Sequence, residues 1–272
     1  MRYGCCGCMV AKEPATTGVD VIEELEKIGY DYIELSLAHL MDLSQSEFLG
    51  LKNRVDNSSI RCEVCHNFFP PSIRLTGDEA EMDRAMEYVQ KALIRASRLG
   101  AKVIVFGSSG AKNVPEGFSR DKAWNQIVDL LRNIDPVAGK HGVTIVIEPI
   151  NRCESNIVNT VEEGLKLSKQ VDRENIKLLV DYYHLMLERE APDIILRAGG
   201  HIRHIHFAKV EGRVYPTENE EGYLQFFKKL KKVQYEGRLS IEAYSADFKK
   251  DAARSLSLLK WLEEKTWGLP QV

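Results

Sequence analysis

TIVIEPINRCE, residues 144–154, is an aliphatic run that ends on a carboxylate, followed at once by a proline. Thr144, Ile145, Val146 and Ile147 are the residue types of a buried strand, and Pro149 cannot continue its ladder. A glutamate at the end of such a strand is costly unless something positive meets it. Glu148 therefore implies a cationic partner, and the rest of the chain indicates which.

Seven further stretches read as strands: RYGCCG (2–7), YDYIELS (30–36), IRCEVCHNF (60–68), KVIVFGS (102–108), IKLLVDYYH (176–184), IRHIHFAK (202–209) and GRLSIEAY (237–244). Together with VTIVIEP (143–149) they make eight. Between them lie amphipathic stretches such as 19–29, 78–100 and 159–171. In 78–100 the residues Met82, Met86, Val89 and Leu93 recur at the spacing of three and four that defines one helix face. Gly29, Gly100 and Gly142 sit where helices should close before the next strand. Strands alternating with helices imply a parallel sheet with helical crossovers. Eight units predict an α/β fold, a (β/α)₈ TIM barrel, as one domain over 1–272. An open doubly wound sheet is the alternative, but no Gly-rich nucleotide fingerprint or linker interrupts the pattern.

The composition, 44% apolar and 28% charged, is that of a soluble globular protein. No apolar run approaches a membrane span, and the opening MRYGCCGCMV does not read as a secretory signal. With 37 basic and 40 acidic residues the net charge is −3, which argues against a broad nucleic-acid surface. Six cysteines suggest a zinc claw at first sight. However, Cys62 and Cys65 share a strand at an odd offset, so alternation points them apart. Free thiols and a cytoplasmic location are the expectation.

In a barrel the active site forms where the strands end at their C-terminal side. The fifth strand ends at Glu148, the sixth at Asp181, the seventh at His206 and the eighth at Glu242. Each follows an aliphatic residue (Ile147, Val180, Ile205, Ile241), so alternation sends the aliphatics to the helices and the polar groups into the lumen. Three carboxylates and an imidazole converging without a cation would repel and raise one another's pKa values. One divalent ion resolves this. The oxygen-rich set suits Mn²⁺ first, with Mg²⁺, Co²⁺ or Zn²⁺ also compatible. His184, three residues after Asp181, can lean over the same mouth. Glu34 and His66 occupy equivalent depths on strands two and three and join the substrate-facing candidates, whereas His204 lies one layer deeper and reads as a core histidine.

These residues resemble the xylose isomerase-like sugar isomerase/epimerase superfamily, in particular ketose 3-epimerases of the D-tagatose and D-psicose type. The carrying segments are IEPINRCESNIVNTVEEGLKLSKQV, VDYYHLMLE, HIHFAKVEGR and SIEAY. They lie in the second half of the chain, while the first half matches by its βα rhythm. The resemblance implies that Glu148, Asp181, His206 and Glu242 hold the metal, that Glu148 and Glu242 are the catalytic acid/bases, and that Glu154, His184 and Arg213 bind substrate. Two departures bear on the substrate. The interval from His206 to Arg213 is one residue longer than in the epimerases, which would hold Arg213 short of the sugar. The aspartate strand continues as YYH instead of TFH.

The implied chemistry is epimerisation or isomerisation of a ketose or ketose phosphate, through a metal-stabilised enediolate with two glutamates exchanging protons. Lys209 and Arg213, after strand seven, are the candidate phosphate grip. The rival readings are a lyase of the same fold (inosose dehydration or C-glycoside cleavage), a non-catalytic sugar-binding relative, and an endonuclease IV-like phosphodiesterase. The last is disfavoured by GSSG after strand four and by the absence of Asp-x-His after His206. No nucleic acid or membrane is expected as a partner, and a homo-oligomer is left open.

Overall fold

Eight parallel strands close on themselves in chain order in the computed structural model, which describes residues 1–11 and 16–268. They are β1 (Arg2–Cys6), β2 (Tyr32–Ser36), β3 (Arg61–His66), β4 (Val103–Phe106), β5 (Thr144–Ile147), β6 (Ile176–Asp181), β7 (Ile202–Phe207) and β8 (Arg238–Ile241). Closure comes from β1 pairing with β8, from Arg2 opposite Arg238 to Cys5 opposite Ile241. The (β/α)₈ barrel expected from the eight units is the fold.

Two apolar layers divide along the strands as alternation requires. Tyr32, Val64, Val103, Val105, Val146 and Leu179 fill the lumen. Ile147, Val180, Ile205 and Ile241 join the larger layer between strands and helices. The latter four precede the polar strand ends, so those ends face the lumen. The helices Met82–Leu99, Arg120–His141 and Val161–Val171 cover the outside. Gly29, Gly100 and Gly142 close their helices in left-handed geometry, at φ of 96, 98 and 64°.

The thiols are free as expected, but the structure corrects the expectation that Cys62 and Cys65 point apart. The β2–β3 ladder steps from Ile33–Cys62 to Glu34–Val64, leaving Glu63 as an extra residue. This bulge shifts the side-chain phase by one. Cys62 and Cys65 consequently share the helix-facing side, with sulfurs 3.7 Å apart, and both are free and buried. A second shift, between β6 and β7, leaves Arg203 unpaired and sets His204 and His206 facing inward opposite Leu179 and Asp181.

Candidate functional site

Glu148 and Glu242 stand one residue past β5 and β8 instead of within them. Their amides still bond across, to the carbonyls of Phe106 and Phe207, each at 3.2 Å. The ladder thus fixes both backbones while the side chains are free to turn over the mouth. Asp181 closes β6 and caps the helix Tyr182–Leu187, its Oδ1 accepting from the Tyr183 amide at 2.8 Å. That bond leaves Oδ2 pointing inward, buried and accepting no hydrogen bond.

Ligand atoms of Glu148, Asp181, His206 and Glu242 all lie within 4.8 Å of one another. His206 Nδ1 is 3.0 Å from Glu148 Oε1 and 3.2 Å from Glu242 Oε2. Three buried or nearly buried carboxylates, among them Asp181 with its orphaned oxygen, and one imidazole make a donor set that fits a hard divalent ion. Burial pushes the Asp181 carboxyl up, against the pull of His184 and Arg213. Burial acts the same way on Glu242, but Arg213 and His206 hold that carboxyl well below its usual range.

Arg213 reaches the cage despite the longer interval after His206. Gly212 at φ 75° and Arg213 at φ 49° make a tight left-handed turn that brings it in. Its Nη2 lies 2.5 Å from Glu242 Oε2 and 3.6 Å from Asp181 Oδ2, and its guanidinium stacks 4.7 Å over Tyr183. Tyr183, in the YYH departure, thus forms a wall against which Arg213 is held. Arg213 Nη1 is 3.6 Å from Glu154 Oε2. Asn151 Nδ2 donates to Glu154 Oε1 at 2.7 Å and to His184 Nδ1 at 2.8 Å. His184 therefore carries its proton on Nε2, 3.5 Å from Asp181 Oδ2.

Two further candidate substrate-facing residues are buried against protein groups. Glu34 is fully buried beneath His206, one lumen layer down, with both oxygens engaged by protein groups. His66 is buried at the mouth, Nε2 at 2.9 Å from the Cys8 sulfur and Nδ1 at 3.4 Å from Glu34 Oε1. Lys209, partly exposed, is paired with Glu220 at 2.6 Å.

Several groups at the site escaped the sequence reading. Lys112 is fully buried and donates to the backbone carbonyl of Glu148 at 3.2 Å. Burial pushes its ammonium down to about 8, with Glu148 opposing the shift. Gly107 leaves room for Glu148, since a Cβ there would stand 2.1 Å from Glu148 Oε2. Asn151 was visible only as part of the turn after Pro149. The signal available for all three was their place in the segments that follow strands four and five.

Residues 22–265 match the xylose isomerase-like TIM barrel family. The chain is 28% identical to an L-ribulose 3-epimerase from Methylomonas sp. (strain DH-1), over 86% of this chain and 81% of the relative. It is 31% identical to a 2-oxo-tetronate isomerase from Pectobacterium atrosepticum, over 62% of each chain. Among solved structures, the D-psicose 3-epimerase of Clostridium cellulolyticum H10 with D-tagatose superposes at a TM-score of 0.87. That match covers 97% of this chain and 99% of the other, at 20% identity. Among the described residues, no helix is long and apolar enough to cross a membrane.

Proposed function

Because the chain belongs to the xylose isomerase-like TIM barrel family, we propose that it is a divalent-metal-dependent ketose 3-epimerase acting on a free ketose. The observation that carries this reading is the pair Glu148 and Glu242, held just past β5 and β8 and both close to His206 Nδ1, at 3.0 and 3.2 Å. Kinship with an L-ribulose 3-epimerase supports the reaction class.

Glu148, Asp181, His206 and Glu242 would hold the ion, Mn²⁺ by preference. When bound it supplies a Lewis acid against the negative charge that gathers on the sugar oxygens during deprotonation. One glutamate takes the proton from the carbon beside the carbonyl, and the other returns a proton to the opposite face. Arg213, His184 and Glu154 orient the sugar hydroxyls, and Tyr183 keeps Arg213 in place. The free sugar is favoured over its phosphate because Lys209 is already paired with Glu220.

A panel of free ketoses, ketose phosphates and aldoses with Mn²⁺ tests the assignment. The expected result is C3 epimerisation of a free ketose that chelation abolishes. Turnover confined to phosphorylated sugars would remove the substrate class. Cleavage of DNA at abasic sites, with no sugar turned over, would remove the function.

A further inference from the structure

Glu34 is a fully buried carboxylate whose oxygens are both committed to protein donors. Oε1 lies 3.0 Å from His206 Nε2. Oε2 lies 3.0 Å from His204 Nε2 and accepts from Ser240 Oγ at 2.5 Å. Ser240 Oγ in turn is 2.8 Å from the Tyr32 hydroxyl. Each oxygen of Glu34 already has a protein partner, and the side chain is fully buried.

The two nitrogens of one imidazole divide the labour. With an ion on Nδ1, the single proton of a neutral His206 ring belongs on Nε2, where the Glu34 carboxylate, which only accepts, is placed to take it. The other nitrogen, Nδ1, is the one that faces Glu148 and Glu242. A ring protonated at Nε2 keeps its Nδ1 lone pair for an ion. Without Glu34 the ring could place its single proton on Nδ1, against the ion, or rotate out of register.

We infer that Glu34 is a positioning residue: it fixes the ring orientation and proton of His206 so that Nδ1 is presented to the metal, and it does not bind substrate. This inference rests on the four-residue cage of the proposed function. It changes the part given to Glu34 from substrate contact at the mouth to support of a ligand from beneath. His204, its second imidazole partner, lies between Glu34 Oε2 at 3.0 Å and the Arg238 carbonyl at 3.1 Å.

The test is Mn²⁺ titration of the metal-free protein by calorimetry, with Glu34→Gln and Ser240→Ala alongside. Loss of a group that orients a ligand lowers metal affinity about 10–100-fold, and that is the expectation for Glu34→Gln. Ser240→Ala removes a bond to the same carboxylate while leaving the Glu34–His206 contact in place, so its Mn²⁺ affinity should change far less. An equal loss in both variants would reduce Glu34 to a packing role. Unchanged affinity in Glu34→Gln would overturn the inference while leaving the cage intact. Wild-type protein that binds no Mn²⁺ would remove the cage and the proposed function together. A second measurement needs no variant: nitrogen-15 spectra of histidine in Zn²⁺-loaded protein. They should show His206 ligating through Nδ1, with a slowly exchanging proton on Nε2. Ligation through Nε2 would overturn the inference whether or not Glu34→Gln folds.

Discussion

Gly107 has no room for a side chain, because its missing Cβ is the space that Glu148 occupies. In Gly107→Ala the new methyl would stand 2.1 Å from Glu148 Oε2, so the carboxylate must move. Displacing a reacting group by about 1 Å lowers kcat about 10²-fold, and overpacking costs about 1–3 kcal/mol of stability. Steady-state kinetics and urea melts on Mn²⁺-loaded Gly107→Ala check both, and unchanged kcat would show that Glu148 takes no part. Replacing Glu148 or Glu242 by Gln should cut kcat about 10²–10⁴-fold, the usual share of a general acid or base. A fully active variant of either, with metal bound, would refute the pairing. The four cage residues were legible in the sequence because each follows an aliphatic residue at a strand end, where alternation alone fixes direction. Gly107 and Lys112 were not, because they act on Glu148 through a loop whose path no periodicity encodes. Glu34 was legible as a lumen residue, but its depth relative to His206 depends on barrel stagger.

At the scale of elements, the helix Val161–Val171 is fixed at the end of the loop that carries Asn151 and Glu154. Thr160 caps it, accepting from the Glu163 amide at 3.1 Å, and Glu163 Oε2 accepts from the Asn159 amide at 2.7 Å. Thr160→Ala should cost about 1 kcal/mol, as N-cap losses do, with the loop loosened in hydrogen exchange. Burial works to raise the Glu163 carboxyl, but the Asn159 amide and Arg120 hold it below its ordinary range. A depressed carboxylate adds stability above its unfolded pKa, near 4.3, and that stability is lost as pH falls through the lower folded value. The stability gap between wild type and Glu163→Gln should therefore close as the pH falls below about 4. Denaturation series at several pH values measure it, and a gap that widens in acid would reverse the sign assigned here. The bulges mark the limit of element-scale reading. All eight strands announced themselves by composition, but the extra residues Glu63 and Arg203 shift the inward and outward phase within β3 and β7. Strict alternation therefore misplaced Cys62 relative to Cys65.

Across the whole molecule, the cage ties together β5, β6, β7 and β8, half of the barrel. An ion bound only by the folded chain stabilises it by mass action, about 2.7 kcal/mol at a free concentration of a hundred times Kd. Chelation should accordingly lower Tm, and Mn²⁺ should restore it, while Asp181→Asn should melt at one temperature with or without the ion. Identical melts for chelated and Mn²⁺-loaded wild type would argue against an ion at this site. The central claim is that two glutamates exchange a proton at one carbon of a ketose. The most direct test is turnover in D₂O, followed by proton NMR of the sugar. Deuterium should appear at C3 of the epimerised product, accumulating as the product forms, with none at C1. Deuterium at C1 would keep the cage and move the reaction to aldose–ketose isomerisation, and epimerised product without deuterium would contradict proton transfer by Glu148 and Glu242.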